Sequence, residues 1–208
     1  MRYSWSMGDS FFVKMWPRLV RNEPPLVTEL RRRNLAGLSG RVLEVGAGTG
    51  TNFALYPPEV TAVVALEPED ALRAEASAVA DARVEVRPER LDEYVADEPF
   101  DAVVFSLVLC SLPDPEGAVR QVRGVLRPDG ELRFLEHVAA RGGMLEGLQK
   151  AADATVWPRL FGNCHAHRDA VGLISGAGFA VTTVEDRMLA PAWVPIPTSP
   201  LVLGRAHA

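Results

Sequence analysis

Five apolar runs set the limits on this fold: "RVLEVG" (41–46), "VTAVVALE" (60–67), "ARVEVR" (82–87), "FDAVVFSLV" (100–108) and "GELRFLEHV" (130–138). Each is apolar almost end to end, with little alternation. That is the pattern of strands covered on both faces in a parallel sheet. Parallel neighbours need crossover connections, usually helical. Between the fourth and fifth runs lies "DPEGAVRQVRGVLRPDG", where Asp114 reads as an N-cap and Pro115 as the first helical residue. Ala118, Val122, Val125 and Leu126 recur at helical spacing, Arg120 and Arg123 fall on the other face, and Pro128-Asp129-Gly130 reads as the closing turn.

After residue 138 the pattern changes. The stretch 144–161 reads as a helix up to Pro158, and 168–179 as a helix closing at Gly176 to Gly178. "AVTTVED" (180–186) and "LVLGRA" (201–206) read as two further strands flanking a stiff Pro-rich loop, which suggests an antiparallel hairpin at the sheet edge. Residues 1–40 read as helical, with Phe11, Phe12, Met15, Trp16 and Leu19 as an apolar cluster. The chain of 208 residues is therefore expected to form one domain: a helical lid (1–40), a ligand-binding core (41–138), and substrate-side helices with the edge hairpin (139–208).

Composition narrows the function. A net charge of -5 argues against a nucleic-acid partner, which selects for a basic face. No apolar run reaches the roughly eighteen residues of a membrane span, and the charged N-terminus lacks the apolar segment of a signal peptide. Neither a membrane anchor nor secretion is expected. Cys110 and Cys164 are too few for a disulfide framework and are expected to be reduced, in a cytoplasmic protein.

The first run hands over to "GAGTG", with Gly46, Gly48 and Gly50 where strand should become helix. Glycines there let a ligand approach the backbone. A dinucleotide fingerprint would be G-x-G-x-x-G, but Thr51 stands at the last position and the spacing is G-x-G-x-G. Glu67, at the end of the second run, is placed to take the two hydroxyls of a ribose. Glu44, just before the loop, would repel a pyrophosphate and suits a ligand carrying an ammonium group.

"LEVGAGTG" followed by "LEP" resembles the cofactor motifs of class I S-adenosylmethionine-dependent methyltransferases, over residues 41–138. The resemblance implies an α/β fold: a Rossmann-like, doubly wound seven-stranded sheet, mostly parallel, with an antiparallel C-terminal edge hairpin. It implies S-adenosylmethionine as cofactor. The implied contacts are Glu44, Gly46, Ala47, Gly48, Gly50 and Asn52 around the loop, Glu67 and Pro68 at the ribose, Arg90 and Leu91 at the adenine, and Ser106 and Leu107 after the fourth strand. "SLVLCSLPDPEGAVRQVRGVLRPDG", "FLEHVA" and "WPRLFGNCHAHRD" are similar to the methyltransferase-like thiol S-methyltransferases and their quinone and phospholipid methyltransferase relatives.

A small-molecule acceptor is implied, with a thiol sulfur preferred. Oxygen, nitrogen or carbon acceptors stay open, as does a nicotinamide-dependent oxidoreductase on the same sheet. His137, ending the fifth run, is the candidate base or substrate-orienting residue, or else a loop tie. Trp5, Phe12, Trp16, Trp157, Cys164 and His165 are candidates for the substrate pocket, with Trp193 as a further contributor. The close spacing of Cys164, His165 and His167 lacks a distant fourth ligand, and no metal is expected. Nothing in the sequence fixes an oligomeric state.

Overall fold

A computed structural model describes residues 11–155, 157–191 and 193–208, without the side chain of Phe11. The apolar runs become strands β1 (Gly40–Val45), β2 (Val60–Leu66), β3 (Val84–Arg87), β4 (Phe100–Ser106) and β5 (Leu126–His137), joined by β6 (Ala180–Met188) and β7 (Pro200–His207). They form one seven-stranded sheet in the order β3-β2-β1-β4-β5-β7-β6. The first five are parallel, while β7 runs antiparallel to both β5 and β6. The last strand thus inserts between β5 and β6, and β6 forms the edge.

Strand side chains alternate between faces, and the core divides accordingly. Leu43, Val45, Val103, Phe105, Leu132 and Phe134 pack under α4 (Pro115–Val125) and α7 (Ala170–Gly176), through Val119, Val122 and Ile174. Val42, Val63, Ala65, Ala102 and Val104 pack on the opposite face with Leu35 of α2 (Pro25–Leu35) and Ala76 of α3 (Asp70–Val79). Asp114 and Asp169 cap α4 and α7 by accepting from the amides of Gly117 and Gly172, each at 2.8 Å. Arg133, buried in β5, donates to the carbonyls of Asn34 and Ala36 at 3.0 and 3.1 Å. It satisfies carbonyls at the C-terminal end of α2 and fixes that helix on the sheet.

Two sequence expectations change. Pro128-Asp129-Gly130 does not simply close a helix: β5 begins at Leu126, paired with Phe100, and the intervening residues bulge out before Glu131 pairs with Ala102. Residues 144–161 do not form one helix running to Pro158. Helix α5 (Gly143–Asp153) stops earlier, and Pro158 sits inside the short α6 (Trp157–Leu160). Proline at the second position of a new helix forfeits no hydrogen bond, because that N–H has no helical partner anyway. The N-terminal region divides at 22–24 into α1 (Phe11–Arg21) and α2.

Candidate active site

The carboxyl ends of β1, β2, β4 and β5 meet at one edge of the sheet, where ligands of such folds sit. The loop leaving β1 turns because Gly46, Gly48 and Gly50 all take positive φ, at 69°, 58° and 78°. The glycines serve different ends. A Cβ on Gly46 would lie 2.3 Å from Val108 Cγ2, so this glycine lets the β1 and β4 loops pack together. On Gly48 a Cβ would come within 3.3 Å of the Trp16 indole nitrogen, so α1 lies close over this part of the loop.

Glu67, just past β2, is 6% exposed. Its Oε2 accepts from the Gly48 amide at 2.8 Å and its Oε1 from the Glu69 amide at 2.9 Å. A carboxylate has about four acceptor positions, so both oxygens keep capacity for a diol. Burial pushes its pKa up to about 7. Glu44 differs. It is 2% exposed, and its oxygens accept from Asn52 Nδ2 and Tyr56 Oη, both at 2.8 Å. Burial raises its pKa to about 7 as well. This carboxylate is enclosed beneath the loop, with Asn52 and Tyr56 on its two oxygens. Asn52 is likewise buried between Glu44 and Arg31.

Arg31 of α2 completes the network. It donates to Asn52 Oδ1 at 3.2 Å, to Ser106 Oγ at 3.0 Å and to Glu23 Oε2 at 3.1 Å. Sequence reasoning missed it, since one arginine in "LRRRN" carries no distinguishing signal.

At the end of β5, Glu136 Oε1 accepts from the amides of Val108 and Leu109, each at 3.0 Å, while Oε2 is buried without a partner. Burial lifts this carboxyl to about 7. The loop it grips starts at Leu107, itself at φ 60°. A second set of bonds docks "GNCHAHRD" onto this loop. Asn163 Nδ2 donates to Ser111 O at 2.8 Å, the His165 amide to Cys110 O at 2.9 Å, and Arg168 to Leu109 O and Leu112 O at 2.7 and 2.8 Å. Gln149, fully buried, donates to the carbonyls of Val138, Ala166 and Pro197, tying the Pro-rich loop to the same region. The only sequence signal for Glu136 and Arg168 was their place inside the quoted motifs.

Burial drives the His137 pKa down to about 4, with Arg31 adding to the effect against a hydrogen bond with the Thr198 backbone. Its Nδ1 has no partner. Phe12 and Trp16 stack at 5.2 Å on α1, and Phe12 covers Gly162, where a Cβ would lie 2.9 Å from its ring. Helix α1 therefore bridges the glycine loop and the 157–168 segment. Trp157 stacks on Phe161 at 4.1 Å beside Cys164. His165 and His167 face Asp153 and Glu146, at 4.0 and 3.6 Å. Among the described residues no group of three or more His, Cys, Asp or Glu could hold a metal.

Ala47 and Leu91 are buried, and Arg90 pairs with Asp92 at 2.9 Å. Pro68 is exposed and accepts from Arg73 through its carbonyl. Trp193 is 77% exposed, on a loop that Gln149 holds through the Pro197 carbonyl. Trp5 lies outside the described residues.

Residues 19–183 match the family described as methyltransferase domain. The human thiol S-methyltransferase TMT1B is 33% identical over 183 residues, covering 84% of this chain and 74% of its own. Phosphatidylethanolamine N-methyltransferase of Cereibacter sphaeroides is 33% identical over 156 residues, 71% of each chain. The N-methyltransferase NodS of Bradyrhizobium japonicum, solved with S-adenosyl-L-homocysteine, superposes with a TM-score of 0.66 at 16% identity, covering 96% of this chain and 98% of its own. The [4+2]-cyclase SpnF reaches 0.66 at 19% identity, covering 88% and 80%, so the shared fold alone does not fix a reaction. No helix among the described residues is long and apolar enough to cross a membrane. On the extent of the sequence match, and with the glycine loop and its acidic partner in place, this chain belongs to the methyltransferase domain family.

Proposed function

We propose that this protein transfers the methyl group of S-adenosylmethionine to the sulfur of a small-molecule thiol. The cofactor supplies a methyl already activated on a positive sulfonium. Around it, the turn of Gly46, Gly48 and Gly50 receives the methionine portion, and the spare acceptor positions of Glu67 take the ribose hydroxyls. Leu91 and Arg90 flank the adenine. Glu44, Asn52, Arg31 and Ser106 act from below by holding the loop in shape. Phe12, Trp16, Trp157, Cys164 and His165 line the acceptor side and exclude water.

One observation carries the choice of sulfur: the histidine at the acceptor edge, His137, is held near 4 and is a poor base at neutral pH. Hydroxyl and carbon acceptors need a proton removed in the transition state. A thiol with a pKa of about 8.5 is already partly thiolate. The thiol S-methyltransferase relatives support the same reading, while the phosphatidylethanolamine relative keeps an amine as the second one. Methyl transfer from labelled cofactor to a panel of thiols, amines, phenols and quinones decides. Methylated thiols are expected, and turnover confined to amines or phenols would overturn the choice of atom.

A further inference from the structure

Cys110 and Cys164 are the two cysteines of the sequence, and each is buried, at 3% and 7% exposure. Cys110 lies in the loop after β4 and Cys164 in the connection from α6 to α7. The bonds from Asn163, His165 and Arg168 fasten these two segments together. The His165 amide, one peptide beyond Cys164, donates to the carbonyl of Cys110 itself at 2.9 Å. That contact sets the two cysteines side by side on adjoining backbone segments, as an intrachain disulfide requires, and each thiol acts on the other's titration, Cys110 upward and Cys164 downward. Both are free.

We propose that Cys110 and Cys164 form a two-cysteine oxidation site that a peroxide closes to an intrachain disulfide. The two sulfurs are not equivalent. Cys164 is the more exposed of the two, at 7% against 3%, and the Cys110 thiol beside it lowers its pKa against the opposing effect of burial, while Cys110 is pushed well up by the same contact and by burial. Cys164 is therefore the attacking residue and Cys110 the resolving one. The Cys164 thiolate attacks one oxygen of hydrogen peroxide, breaking the O–O bond, to give a sulfenic acid and hydroxide. The Cys110 sulfur then displaces the sulfenic hydroxyl, and the S–S bond forms. The protons of the two thiols go to the two departing oxygens, so two thiols and one peroxide yield one disulfide and two waters. The bond would tie the wall carrying Trp157 and His165 to the loop gripped by Glu136. The proposal does not depend on which acceptor is methylated.

The test treats the purified full chain with hydrogen peroxide, counts free thiols after denaturation, and maps peptides by mass without reduction. Thiols are expected to fall together from two to zero per chain, with a linked Cys110–Cys164 peptide lighter by two hydrogens and full recovery after dithiothreitol. In Cys110→Ser, Cys164 should progress to the sulfinic acid, which dithiothreitol does not reverse. Oxygen adducts without a linked peptide in the unsubstituted chain, disulfides between chains, or two thiols that never react would each overturn the proposal. The unsubstituted protein decides even if the variant does not fold.

Discussion

Arg31 donates to the side-chain oxygen of Asn52 at 3.2 Å, and Asn52 donates in turn to Glu44 at 2.8 Å. A helix preceding the first strand thereby holds the residue that holds the acid of the glycine motif. Arg31→Met keeps much of the volume but removes the cation from Glu23, which keeps the Thr28 hydroxyl, and leaves Asn52 and Ser106 short of a donor. Removing one partner of a buried ionic pair costs about 3–5 kcal/mol. At about 2–4 °C per kcal/mol for a chain of this size, the thermal midpoint should drop by roughly 6–20 °C. Calorimetric cofactor affinity should fall as well, since the loop loses its support. A midpoint unchanged within a degree would show that the network is not structural.

Glu67→Ala removes the acceptor for the Gly48 amide and the proposed partner of the ribose. A hydrogen bond to a charged group is worth about 1.5–3 kcal/mol, so affinity for S-adenosyl-L-homocysteine should weaken about ten-fold to a hundred-fold. NAD should not bind either protein. Equal affinity in a folded Glu67→Ala variant would remove Glu67 from the site.

Burial holds Glu44, Glu67 and Glu136 at about 7, against 4.5 for a free side chain. Between pH 4.5 and 7 the folded chain keeps protons that the unfolded chain has released, so stability falls as pH rises through this window and then levels off. His137 has the opposite sign. Held at about 4 against 6.5, it makes the unfolded chain the better proton binder between those values. Three groups outweigh one, and above pH 6.5 nothing from His137 opposes them. Calorimetry without cofactor should show a midpoint lower at pH 7.5 than at pH 5, and a shallower decline in Glu136→Gln. A midpoint that climbs over this range would contradict the assignment.

For His137→Ala, thiol methylation should slow only several-fold, and the rate should keep rising with pH through the acceptor's own pKa. The imidazole is already neutral at pH 7, so no inflection near 6.5 is expected in either protein. A loss of several orders of magnitude in steady-state assays would instead make His137 an essential base and favour an oxygen or carbon acceptor.

Trp16 lies over Gly48, and Phe12 over Gly162. Trp16→Ala should therefore weaken cofactor binding about ten-fold, on the scale of one buried aromatic side chain. Deleting residues 1–22 should impair cofactor binding and methyl transfer together. Full cofactor affinity in the truncated protein would confine the helix to the acceptor side.

Much of this architecture is local, and local features are written in the chain. Strands buried on both faces must be apolar throughout, which located all five parallel strands within a few residues. Asp114 capping α4 follows from backbone amides that only a short side-chain acceptor can reach. The turn after Val45 needs positive φ, and glycine signals it. Other features depend on what meets across the fold. Insertion of β7 between β5 and β6 is a choice of hydrogen-bonding partners far apart in sequence, and β6 and β7 read the same beside either neighbour. Sequence gives the position of Glu44 but not its enclosure by Asn52 and Tyr56. Arg31 was one of three consecutive arginines, and only the packing of α2 on β5 distinguishes the one turned inward beside Ser106 from its exposed neighbours. The sequence thus determined the elements and the glycine loop through backbone sterics and periodic burial. The tertiary structure decided which polar side chains share the interior, because a buried polar group is stable only where a distant partner satisfies it.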